Sequence, residues 1–139
     1  MDYIRLSSDN MSEIMLLQTR YKLEIGEDKP TDENMRSFFK AIKQEQILFF
    51  GCFDAEKLVA CCSVSPTYST FNYCRGGVFE DFYIIPEYRH KGIARHLVQY
   101  AYQESGVSSL IVGCANCDIK MYNALGFRIP LGNMLAFEG

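Results

Sequence analysis

The chain has 139 residues, of which 48% are hydrophobic and 22% charged, with a formal net charge of −3. This is the composition of a water-soluble globular protein, and the length suits one domain, residues 1–139, with a real core. The negative balance argues against a general nucleic-acid binder, which needs a basic face to displace counterions. No apolar run nears the roughly 20 residues that a bilayer-crossing helix requires, so no membrane partner is expected.

MDYIRLSS at the N-terminus alternates like an edge strand, and no charged region followed by an apolar stretch marks a secretory signal. The expected location is cytoplasmic. Ser8, Asp9 or Asn10 can cap a helix running to about Leu23, whose apolar face is Met11, Ile14, Met15 and Leu17. GEDKP breaks that helix, and Thr31 caps the next one, with Asp32 and Glu33 near its positive end. Met35, Phe38, Phe39 and Ile42 form its amphipathic stripe. Residues 47–53 and 58–65, joined by DAEK, read as an antiparallel hairpin. A loop, PTYSTFNYCRGG, leads to a strand at 78–85.

A helix follows over about 92–104, then a short apolar strand at 109–114 suited to a buried parallel position. A short helix at 118–125 stops at Gly126, and FRIP and GNMLAFE are expected as one or two closing strands. The order implies a mixed sheet with helices on both faces. The six cysteines are expected to stay reduced. Cys114 and Cys117 form a lone CxxC without a second pair, so no metal is expected there.

The stretch PEYRHKGIAR joins the strand at 78–85 to its helix. A helix N-terminus leaves backbone N–H groups unpaired and carries partial positive charge, which suits an anion. Gly92 lets the chain approach a ligand and Ala94 keeps the next contact small. Arg89, Lys91 and Arg95 add full charges suited to phosphate, although a basic loop with its charges in solvent would read the same way. The G-K-[ST] of a P-loop and the spacing of a dinucleotide fingerprint are both missing.

Arg89-His90-Lys91-Gly92-Ile93-Ala94, after IIPEY, resembles the pyrophosphate signature [QR]-x-x-G-x-[GA] of the GNAT superfamily of acyl-CoA-dependent N-acyltransferases. YNALGF, Tyr122 to Phe127, is similar to that family's second signature, one helix and one strand further on. The resemblance is carried by residues 78–127, and the other elements fit the family order without a motif. It implies an α/β (α+β) fold. The sheet would be mixed and largely antiparallel, with a central splayed parallel strand pair and helices on both faces.

The resemblance also implies acetyl-CoA as co-substrate, with its pantetheine arm between the strands at 78–85 and 109–114. Backbone groups of Phe82, Tyr83 and Ile84 would bind the arm and polarise the thioester. Backbone N–H groups across Arg89, His90, Lys91, Gly92, Ile93, Ala94 and Arg95 would hold the pyrophosphate. The family often has Asn seven residues before the Tyr; here Ala115 takes that slot and Asn116 stands six before, as the candidate contact.

FEDF resembles the spermidine/spermine acetyltransferase branch, which makes Glu80 the expected general base and Tyr122 the acid for the departing thiolate. Asp81 is the alternative base, because neighbouring strand residues face opposite ways and only one should reach the site. Acids at Glu24, Glu27, Asp28, Asp32 and Glu33, with Tyr68, Phe71 and Tyr73 as an aromatic wall, favour a small cationic amine. The same acids also read as a solvated loop feeding a helix dipole. Acetylation of a peptide or protein amine and a catalytically inactive acyl-CoA sensor are the alternatives. Many members of the family dimerise through terminal strands, and a homodimer is compatible with this chain.

Overall fold

The computed structural model describes residues 1–139. Five strands form one sheet in the order β1-β2-β3-β4-β5: β1 (Asp2–Leu6), β2 (Leu48–Asp54), β3 (Lys57–Ser69), β4 (Cys74–Ile84) and β5 (Ser109–Val112). The first four pair antiparallel, and β5 lies parallel to β4 from Gly76↔Ser109 to Phe79↔Val112. Helices α1 (Met11–Glu24) and α2 (Asp32–Lys43) precede β2, α3 (Ile93–Ser105) crosses from β4 to β5, and α4 (Ile119–Ala124) follows β5.

The alternation of side chains along a strand decides which layer each residue joins. Phe49 stacks against Phe38 of α2, with ring centroids 5.1 Å apart. Its neighbour Phe50 meets Tyr100 of α3 edge-on at 6.0 Å on the opposite face. The two rings are 1% and 0% exposed, and burying a side chain of this kind stabilises the fold by roughly 1.5–3 kcal/mol. From α1, Ile14 and Leu17 enter the core; from α3, Ile93, Leu97, Val98 and Ala101 do.

Three expectations change. Ser7, not one of residues 8–10, makes the first cap: its Oγ accepts from the Asp9 N–H while the Asn10 side chain accepts from the Ser7 N–H. This closes a 3-10 turn, Ser8–Asn10, ahead of α1. The expected loop before β4 is largely strand, because Thr67 and Tyr68 pair with Gly76 and Arg75 and carry the β3–β4 hairpin out to a tip at Phe71.

The closing strands do not form. Residues 128–139 make no backbone hydrogen bond, and a strand without a partner cannot satisfy its N–H and C=O groups. Thr31 caps α2 as expected, in a reciprocal pair with Asn34. No helix is long and apolar enough to cross a membrane.

Candidate active site

Two openings meet at β4. On one side its pairing with β5 ends at Phe79↔Val112 while β4 runs on to Ile84. That leaves a gap in the pairing along this edge of β4, from Glu80 to Ile84. On the other side lies a cavity of about 720 Å³ between α1, α2 and β4, reaching from Asp28 and Pro30 down to Asp81.

The gap ends at the junction before α3. Gly92 is the N-cap in the left-handed conformation (φ 85°), and His90 is left-handed as well (φ 62°). Arg89 N–H donates to the Pro86 carbonyl, but the N–H groups of residues 90–95 have no partner inside the chain. A Cβ on Gly92 would meet nothing within 4 Å, so the chain is uncovered at that residue. Consecutive free N–H groups at a helix start form a concave anion site.

The cations expected to face that anion are mostly engaged elsewhere. Arg89 donates Nε to the Ile84 carbonyl (2.8 Å) and Nη2 to both oxygens of Glu24 (3.1 and 2.8 Å). Its guanidinium lies over the Tyr83 ring, 5.5 Å from the centroid. Arg89 therefore ties the end of α1 to the end of β4 and shapes the loop through its contacts. Arg95 donates to the Ala124 carbonyl (3.1 Å), holding the end of α4 against the start of α3. Lys91 sits over Tyr88, whose hydroxyl donates to Asp54 (2.6 Å). His90 is exposed, Ile93 is buried and Ala94 is half-buried.

Across the gap, Asn116 opens a 3-10 turn, Asn116–Asp118, and is exposed. Tyr122 on α4 packs against Phe82 (6.4 Å between centroids) and Phe127 (5.8 Å). Burial, with the nearby Tyr21, Asp118 and Cys114 adding to it, pushes the Tyr122 phenol up to about 12. At neutral pH it is therefore a protonated group against Phe82, on the stretch of β4 beyond its pairing with β5.

The carboxylates hold the main surprise. The β3–β4 register shifts between Cys61 and Ser63, so Ser63 opposes Glu80 while Cys61 opposes Tyr83. Asp81 sits in this bulge at φ 55°, a left-handed conformation that costs a non-glycine residue about 1 kcal/mol or more. Ser63 Oγ donates to Asp81 Oδ2 (2.7 Å), and Gln18 Nε2 donates to Asp81 Oδ1 (3.0 Å). Cross-strand partners share a face. Ser63 is the partner of Glu80, so Asp81 and Glu80 lie on one face, toward α1. The expectation that only one of them reaches that side is corrected, because the bulge cancels the alternation. Tyr21 of α1, stacked on Tyr83 at 5.9 Å, borders both acids. Burial is the main cause of its raised phenol pKa, and Asp81, Glu27 and Glu80 add to it against Lys22.

The sequence reading missed Gln18, Tyr21 and Ser63. A signal for the first two existed: Ile14, Leu17, Gln18 and Tyr21 follow the i, i+3, i+4, i+7 spacing of α1's inner face, and Gln18 is a polar residue in that stripe. The expected aromatic wall is not at the cavity. Tyr68 and Tyr73 are 67% and 73% exposed and Phe71 fully so, because the longer hairpin carries them outward. Among the expected acids, Glu27 and Asp28 line the cavity, Glu24 is held by Arg89, and Asp32 and Glu33 occupy the first turn of α2.

A mixed sheet whose one parallel pairing stops short of the end of β4, with a free N–H cradle just beyond that end, fits an acyl-CoA-dependent acyltransferase. The sequence model of the acetyltransferase (GNAT) domain matches residues 45–129, and the chain belongs to that family. It is an acyltransferase. No curated protein matches the sequence. Among solved structures, a probable acetyltransferase shares 19% identity over 100% of both chains, with a TM-score of 0.86. A predicted acetyltransferase from Clostridium acetobutylicum, solved with acetyl-CoA, shares 15% over 98% of this chain and 95% of its own (TM-score 0.78). An aminoglycoside acetyltransferase from an uncultured soil metagenomic sample, in complex with sisomicin, shares 13% over 99% and 93% (TM-score 0.75).

Proposed function

We propose that residues 1–139 form one cytoplasmic N-acetyltransferase domain that moves the acetyl group of acetyl-CoA to a primary amine of a small cationic acceptor, within a ternary complex. The observation that carries this reading is the two-sided β4, with a free N–H cradle at the end of its open edge and, on the face toward α1, Asp81 in the cavity lining and Glu80 exposed next to it in the chain. In this reading the N–H groups of His90, Lys91, Gly92, Ile93, Ala94 and Arg95 bind the pyrophosphate. Arg89 holds their loop in shape. Backbone groups of Phe82 and Tyr83 line the pantetheine arm; the Ile84 carbonyl already accepts from Arg89, which weakens its claim. Asn116 borders the far side.

Glu80 is exposed and has no hydrogen-bond partner in the chain, so it is free to take a proton from the acceptor ammonium. The neutral amine attacks the thioester carbonyl and the C–N bond forms. As the C–S bond breaks, Tyr122 gives its proton to the departing thiolate, and the proton that the new amide nitrogen sheds restores the Tyr122 phenol. The acid-lined cavity is the acceptor site, which favours a cation over a neutral amine.

The test is thermal unfolding with acetyl-CoA, with desulfo-CoA and ATP as controls. Ligand at about 100 times its dissociation constant adds roughly 2.7 kcal/mol to a protein that binds it only when folded. A shift with acetyl-CoA that ATP does not match supports the cradle, and no shift at millimolar ligand overturns it. An amine panel scored by thiol release then follows. Glu80→Gln is expected to lower turnover by roughly 10²–10⁴-fold and Tyr122→Phe to slow it also. Binding without turnover on any amine identifies a sensor, and turnover on peptide amines alone moves the acceptor class.

The same reading includes a homodimer. Ile129, Leu131, Met134, Leu135 and Phe137 are 72–95% exposed on a segment without backbone partners, and the outer edge of β5 is unpaired. A second copy offers each tail a strand edge of its own kind. Sedimentation of the whole chain should show a dimer that Leu135→Asp with Phe137→Asp converts to a monomer. A monomeric wild type would remove this part.

A further inference from the structure

We propose that the Cys114–Cys117 pair exchanges with a disulfide of CoA: Cys114 is S-thiolated by the CoA half held in the cradle, and Cys117 resolves the mixed disulfide. The inference rests on acetyl-CoA lying along the open edge of β4. It gives a role to the CxxC that acetyl transfer leaves unused.

Of the six cysteines, only these two are exposed. Cys52, Cys61 and Cys62 are buried, and burial raises the thiol pKa of Cys61 and Cys62, so little thiolate is available there to attack. Cys74 is half-buried, and its thiol donates to the Asn72 carbonyl at 3.2 Å. It opens β4 at the end far from the cradle. Cys114 is the second residue past β5, whose pairing with β4 stops at Phe79↔Val112, so it stands where the unpaired stretch of β4 begins. Tyr122 packs on Phe82 in that stretch, and Cys114 is near enough to Tyr122 to help raise its phenol pKa. In the proposed reaction Tyr122 protonates the CoA sulfur as it departs. The same site therefore brings a CoA sulfur to Cys114. Cys117 follows in the turn Asn116–Asp118, where the Asp118 N–H donates to the Ala115 carbonyl at 2.9 Å.

The step balances among thiols and disulfides. The Cys114 thiolate attacks the sulfur of the cradle-bound CoA, and the S–S bond of the CoA disulfide breaks. The other CoA leaves as a thiolate and takes up the proton that Cys114 shed. The Cys117 thiolate then attacks the Cys114 sulfur and releases the second CoA, which takes up the Cys117 proton. Two protein thiols are oxidised, and one CoA disulfide is reduced to two thiols. Selection comes from binding. A cradle that holds the nucleotide end keeps the CoA sulfur at high local concentration beside Cys114, and a disulfide without that end gains nothing from it. While the mixed disulfide stands, CoA fills the place of acetyl-CoA and acetyl transfer is blocked.

The experiment incubates the reduced whole chain with CoA disulfide and reads intact and peptide masses. In Cys117→Ser, which lacks the resolving thiol, Cys114 should gain one CoA less two hydrogens. It should do so roughly 100-fold faster than it gains glutathione from glutathione disulfide at equal concentration. Excess desulfo-CoA should suppress the CoA adduct, and Cys74 should stay unmodified. In the wild type the adduct should give way to a chain two hydrogens lighter, with Cys114 joined to Cys117. Cys114→Ser should show neither product and keep the wild-type thermal shift with acetyl-CoA.

No adduct on Cys114, equal rates for the two disulfides, or an adduct that desulfo-CoA does not suppress overturns the inference. An adduct that persists in the wild type removes the role of Cys117. The thermal shift separates this inference from the reading beneath it. A protein stabilised by acetyl-CoA but never thiolated ends the inference alone, whereas absence of both ends the cofactor site as well.

Discussion

The cradle before α3 and the cavity under α1 and α2 flank the same strand but are built in opposite ways. The cradle is one contiguous piece of chain, and the groups it presents are backbone N–H groups of residues 90–95. Two of its three arginine and lysine side chains turn away, Arg89 to Glu24 and Arg95 to Ala124. The cavity is collected from α1, α2, the turn between them and β4, and it presents side chains. In the cradle the charged residues support a shape. In the cavity the shape, a bulge, supports charged residues.

The largest expected effect breaks the cradle without touching the cavity. Gly92→Val forces a branched side chain onto a backbone at φ 85°, which should distort the loop that presents the N–H groups. The roughly 2.7 kcal/mol of stabilisation expected from saturating acetyl-CoA should vanish in thermal unfolding. Lys91→Ala should weaken binding only about threefold, as exposed charges contribute little. If Lys91→Ala is the more damaging change, the cradle works through side chains and the contrast fails.

A smaller effect comes from Tyr122, at the seam between the two regions. Its pKa is raised from 10.0 to about 12 by burial, so the folded state holds the phenolic proton more tightly than the unfolded chain. The stability this contributes is whole below pH 10.0 and is lost as pH rises through about 12. Denaturant midpoints should fall across that window, and less steeply in Tyr122→Phe. An identical slope in the variant would mean that the phenol titrates freely.

Smallest is the tie between the regions. Glu24→Gln removes a charge-assisted pair whose side chains are 37% and 43% exposed, so it should cost about 1 kcal/mol or less. The sharper readout is acetyl-CoA affinity, expected to drop modestly as the Arg89 loop loosens. No change in affinity would separate α1 from the cradle.

What the sequence determined by itself was local: the Thr31 cap, the β2–β3 hairpin, the strand–glycine–helix junction at 84–93, and Tyr122 ahead of Gly126-Phe127. Each depends on residues within one or two turns, where propensity, capping and glycine's φ freedom act directly. Tertiary structure decided what depends on pairing across the chain. Strand alternation predicts that Glu80 and Asp81 face apart; one register shift against Cys61 and Ser63 turned both to the same side. Gln18 meets Asp81 across 63 positions, a distance at which no periodicity carries information. The apolar pattern of residues 127–139 reads as strand, yet a strand exists only when an edge receives it, and within this chain none does.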